Sequence, residues 1–82
     1  MTVHVKFSSA DIAGKLRDGE YELPDGATVA TLIDAALLES GYELPENKRS
    51  NFVFVFNNSP AQYETELCDE GKLRVLYRIT GG

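Results

Sequence analysis

The sequence is poor in the residue types that most often do chemistry. It holds one cysteine and one histidine in 82 residues. A single cysteine closes no disulfide within the chain, which argues for a reducing, cytoplasmic setting. A metal site needs several convergent ligands, and His4 and Cys68 stand far apart in the chain. Basic residues are also few. Eight Lys and Arg stand against 13 Asp and Glu, a formal net charge of −5. That balance disfavours nucleic acid and anionic membrane as partners, because clustered cations supply affinity for phosphate. It fits docking onto a basic protein surface, or it simply keeps a small protein dissolved. No apolar run approaches the roughly 20 residues that cross a bilayer. The start, MTVHVKFSS, lacks the basic and then apolar regions of a secretory signal. Gly14, Gly19, Gly26, Gly41 and Gly71 stand singly at turns, so no phosphate-cradling loop is formed.

What is present is pattern. Val3, Val5 and Phe7 alternate with polar residues, as in a half-buried strand. A turn-rich stretch closed by Asp18-Gly19 leads to a short strand around Tyr21 and Leu23. Thr28 suits a helix N-cap. Val29, Leu32, Ile33, Ala36 and Leu37 then fall on one stripe of an amphipathic helix, and Gly41 suits its left-handed stop. Residues 42–51 read as a polar loop. Phe52 to Phe56, FVFVF, predicts a central strand covered on most of both faces. NNSP is a turn cluster, and a short edge strand or a 3₁₀ turn is expected between Ala61 and Glu66. Leu73, Val75, Tyr77 and Ile79 alternate as a last strand. The best-patterned strands, the first and the last, are expected side by side in the centre. The whole reads as an α+β fold, a β-grasp: a mixed sheet of four to five strands with one main covering helix. It forms a single domain over residues 1–79 with a flexible tail over 80–82.

Catalytic groups are hard to find. His4 lies on the polar side of its strand and reads as a solvent-facing residue. Cys68 adjoins Asp69 and Glu70, whose charge suppresses the thiolate, and it reads as a small half-buried turn residue. Glu20/Glu22 and Glu64/Glu66 read as solvated strand faces. The tail is different. Gly81 and Gly82 have no side chains, so they fit a channel closed to other residues. The carboxylate of Gly82 sits at the tip of an arm anchored to a strand, with nothing crowding its carbonyl carbon.

The order of elements, ending LRVLYRITGG, resembles the ubiquitin-like sulfur carriers of the ThiS/MoaD type. LPDGATVATLIDAAL (residues 23–37) resembles the family's second strand, turn and first helical turns. Residues 55–82, from a valine-asparagine turn through an acidic turn with glycine to the terminal Gly-Gly, resemble its second half. The acidic turn departs from the usual Asp-Gly-Asp, reading Asp69-Glu70-Gly71-Lys72. Tyr77 and Arg78 stand where the molybdopterin branch often has prolines, so neither the thiamin nor the molybdopterin pathway is singled out. The resemblance implies that the chain is a cosubstrate and not an enzyme. It binds no cofactor of its own; an E1-like adenylating enzyme uses ATP to activate Gly82, and a synthase subunit accepts the sulfur. It further implies partner docking through Leu76, which points away from Leu73, Val75 and Tyr77. Arg74, Arg78 and Thr80 flank Leu76 on that docking surface. A ubiquitin-like modifier joined through Gly82 to target lysines is compatible with the same residues, as is a β-grasp binding domain that is never activated.

Overall fold

The computed structural model describes residues 1–8 and 15–78. Seven elements follow in order: β1 (Thr2–Phe7), β2 (Gly19–Glu22), α1 (Val29–Ser40), α2 (Glu46–Arg49), β3 (Phe52–Phe56), β4 (Ser59–Ala61) and β5 (Gly71–Tyr77). The strands form one mixed sheet in the order β2-β1-β5-β3-β4. β1 pairs antiparallel with β2 and parallel with β5, and β5 pairs antiparallel with β3. The first and last strands are therefore adjacent, as their patterns predict. This is the expected β-grasp, with α1 as its main helix.

α1 forms where the apolar stripe and the caps agree. Thr28 is extended at the N-cap, and Thr28 and Thr31 bond reciprocally as a capping box. Gly41 closes the helix in the left-handed region at φ 69° and donates its N–H to Leu37. Val29, Leu32, Ile33, Ala36 and Leu37 are all buried. They belong to the same core as Val3, Val5 and Phe7 of β1, Phe52, Phe54 and Phe56 of β3, and Leu73 and Val75 of β5. The free N–H groups at the start of α1 are met by the chain after β4. Val29 donates to the Thr65 carbonyl and Ala30 to that of Tyr63.

Three expectations are corrected. β3 is neither central nor covered on both faces. β5 holds the centre, because it alone pairs with both β1 and β3, and the one long helix shields a single face. The Phe52, Phe54 and Phe56 rings turn inward, and Val53 and Val55 are only half-buried. The edge strand falls earlier than expected, at Ser59–Ala61, since Asn57 and Asn58 alone make the turn. Both have positive φ, 51° and 66°, as a two-residue hairpin whose twist matches its strands requires. Pro60 is tolerated there because β4 is an edge strand. The loop after α1 contains a short helix, α2, tied to α1 by an Arg49–Asp34 ion pair at 3.0 Å. The expected end of the last strand at Ile79, and the boundary between domain and tail, lie outside the described residues.

Candidate partner-docking face

Among the described residues, one face of the sheet carries no helix. Strand alternation places on it His4 and Lys6 of β1, Val53 and Val55 of β3, and Lys72, Arg74 and Leu76 of β5. Register then brings them together. Val53 lies opposite Leu76, Val55 opposite Arg74, Lys6 beside Arg74, and His4 beside Lys72. Val53, Val55 and Leu76 are half-buried yet stand outside the core cluster, so they form an apolar strip on the open side.

Leu76 thus lies among apolar and cationic neighbours, with Arg74 on the same face. Tyr77 turns the other way and meets the Phe52 ring edge-on at 5.5 Å between centroids. Arg78 lies apart from Arg74. Its backbone N–H donates to Asn51 at 2.7 Å, and it lines a cleft of about 440 Å³ with Ser50, Val53, Pro60 and Tyr63. Thr80, Gly81 and Gly82 lie outside the described residues.

A second concavity, about 400 Å³, opens on the same face towards the β3–β4 turn. His4, Lys6, Val55, Asn58, Lys72 and Arg74 line it. The turn is locked to β5 on both sides: Asn57 N–H donates to the Lys72 carbonyl and Lys72 N–H to Asn57 Oδ1, each at 2.9 Å. The acidic turn before β5 is pinned as firmly, with Thr2 N–H donating to Asp69 Oδ1 at 2.8 Å and Glu70 N–H to the Thr2 carbonyl at 2.7 Å. This holds Glu70 Oε2 3.1 Å from His4 Nε2, while Glu20 Oε1 lies 3.9 Å from Nδ1. His4 is thus flanked by two carboxylates rather than by solvent alone.

Cys68 is exposed, not half-buried, with Asn57 Nδ2 3.6 Å from its sulfur. Among the described residues no grouping of His, Cys, Asp and Glu is placed to hold a metal ion. Two phenols at the margins of the core, Tyr21 and Tyr63, have raised pKa values, chiefly because burial disfavours the phenolate. Each donates at 2.6 Å to a backbone carbonyl, of Arg17 and Arg49 respectively.

Sequence reasoning left open whether the phenylalanines or the valines of β3 face outward, and it missed the meeting of Lys6 with Lys72 and Arg74. Both depend on register between distant strands. It also passed over Leu38, 86% exposed on the outer side of α1.

No protein-family model matches the sequence, and neither does any curated protein. Solved structures do. SAMP1 from Haloferax volcanii aligns over 100% of both chains with a TM-score of 0.71 and 19% identity. A putative molybdopterin converting factor, subunit 1, from Pyrococcus furiosus aligns over 96% of this chain and 99% of its own, also at 0.71 and 19%. A further structure of the H. volcanii small archaeal modifier protein 1 covers 95% and 98%, at 0.70 and 18%. The fold is the ubiquitin-like β-grasp that these structures share. In this β-grasp, β5 runs through the middle of the sheet between β1 and β3 and ends at Tyr77. Among the described residues no helix is long and apolar enough to cross a membrane.

Proposed function

We propose that the chain is a sulfur carrier whose Gly82 carboxylate is activated by an E1-like enzyme. The observation that carries this reading is the pairing of a ThiS/MoaD-type β-grasp with Gly81-Gly82 a few residues after its central strand. The Gly82 carboxylate attacks the α-phosphate of ATP on the enzyme, and pyrophosphate leaves. The acyl-adenylate is then open to attack, because AMP is a far better leaving group than oxide. A persulfide sulfur displaces AMP, and a second thiol cleaves the sulfur–sulfur bond to leave a thiocarboxylate. A synthase subunit takes the sulfur for a cofactor of the molybdopterin or thiamin type. The chain itself is not an enzyme. It positions the reacting atom, which removes a bimolecular search. Leu76 and its neighbours on the open face dock the enzyme.

A second reading, conjugation of Gly82 to target lysines, is favoured by the likeness to small archaeal modifier protein 1. Intact mass after incubation with an E1-like enzyme, ATP and a sulfur donor separates the two. Exchange of one oxygen for sulfur supports the carrier, whereas protein-sized adducts support the modifier. Deleting Gly82 is expected to abolish ATP–pyrophosphate exchange while leaving the melting temperature unchanged. Undiminished exchange in that variant would rule out activation at Gly82.

A further inference from the structure

The net charge of the chain points to a basic partner, but the open face has the opposite local charge. Lys6, Lys72 and Arg74, three of the eight basic residues, converge on the 400 Å³ groove. Lys6 and Arg74 are register neighbours on adjacent strands, and Lys72 precedes Arg74 by two residues on the same face. Among the described residues none of the three takes part in an ion pair, although the chain has 13 acids. Glu20 and Glu70 sit beside His4, which also lines the groove. Among the described residues the cations therefore form a positive patch without ion-pair partners, with the apolar strip of Val53, Val55 and Leu76 next to it.

The spacing of the charges discriminates between ligands. Along β5, same-side residues lie about 7 Å apart, at roughly 3.3 Å of rise per residue. An extended peptide presents its same-side carboxylates at that same interval, and its next same-side residue would then lie over Leu76. The charges of a diphosphate are much closer together. From this we infer that the groove takes an extended acidic segment of a partner protein. Its alternate carboxylates lie over Lys72 and Arg74, with Lys6 beside Arg74, and an apolar side chain follows over Leu76 and Val53. Opposite charge steers the encounter, and the apolar strip fixes register. The inference names the chemistry of the partner that docks on the open face, and so rests on that docking; it does not depend on activation of Gly82.

The test is a titration of the isotope-labelled full chain, followed by backbone amide shifts. The probe is an acetylated peptide in which two glutamates and a leucine occupy alternate positions, separated by serines. Saturable shifts at Lys6, Val55, Lys72, Arg74 and Leu76 are expected. Binding should weaken at least about tenfold in the double variant Lys72→Gln/Arg74→Gln, whose melting temperature should match the parent. It should also fade at about 1 M salt, where the screening length is about 3 Å. Equal binding of a glutamine-for-glutamate peptide overturns the inference. So does pyrophosphate binding as tightly as the peptide, which assigns the groove to a small anion. Absence of saturable shifts up to about 1 mM peptide overturns it too. Failure of ATP–pyrophosphate exchange leaves this titration unaffected, so the two readings fail separately.

Discussion

The two faces of the sheet are built from the same strands and meet different surroundings. The inner face is sealed by α1, and its residues are nearly all apolar, with Val3 and Val75 at 0% exposure and Leu32 of α1 equally buried against them. The outer face shows a narrow apolar strip set among cations. Alternate residues of β3 and β5 therefore answer to different constraints. Phe54 and Val75 must fill space against a helix, at interior packing density. Val55 and Arg74, each adjacent to one of these in its strand, face the open side and fill no such space.

Substitutions on the inner face should cost stability, and those on the outer face should cost affinity. The largest effect on folding is expected from Leu32→Ala. It removes a fully buried side chain where α1 meets the sheet, and unfolding by denaturant should show a loss of about 2–5 kcal/mol. A loss below that range would mean that the inner face is loosely packed. On the outer face, Leu76→Glu should leave the melting temperature nearly unchanged and weaken binding to the E1-like enzyme at least about tenfold. Unchanged affinity would remove Leu76 from the docking surface. Thr28→Ala should cost about 1 kcal/mol through loss of the α1 cap, without any change in partner affinity.

The smallest effect is one of pH. The Tyr21 and Tyr63 phenols have raised pKa values in the folded chain, so the unfolded phenols, at the ordinary value of 10.0, release their protons first. The stability that these neutral phenols contribute is full below pH 10.0 and is lost as pH rises through the folded values. Denaturation midpoints should decline above that pH. The double variant Tyr21→Phe/Tyr63→Phe should show a shallower decline, and an identical slope would show that neither phenol is the cause.

The inner face was largely legible in the sequence, and the outer face was not. α1 could be read because five apolar residues repeat at helical spacing between a threonine cap and a glycine stop. The central pairing of β1 with β5 could be read from two clean alternations. β3 defeated the same method, since FVFVF is apolar at every position and alternation cannot tell which side is covered. β4 was misplaced because Pro60 argues against a strand unless the strand is known to be an edge. α2 is only four residues long and polar, too short for a period. For the site, alternation alone was enough to direct Leu76 outward. The cationic groove needed the register of Lys6 against Arg74, and no local pattern encodes a contact between residues so distant in the chain.

The parallel pairing of β1 with β5 bears on how the protein is made. Val3 lies opposite Gly71, so the middle of the sheet closes only when the ribosome has released nearly the whole described chain. Such distant contacts form late. Lys6 gains Arg74 as a neighbour, and Val53 gains Leu76, only when β5 is in place. A chain without β5 has neither pair. A partner that reads this face would engage only chains in which β5 is paired with both β1 and β3.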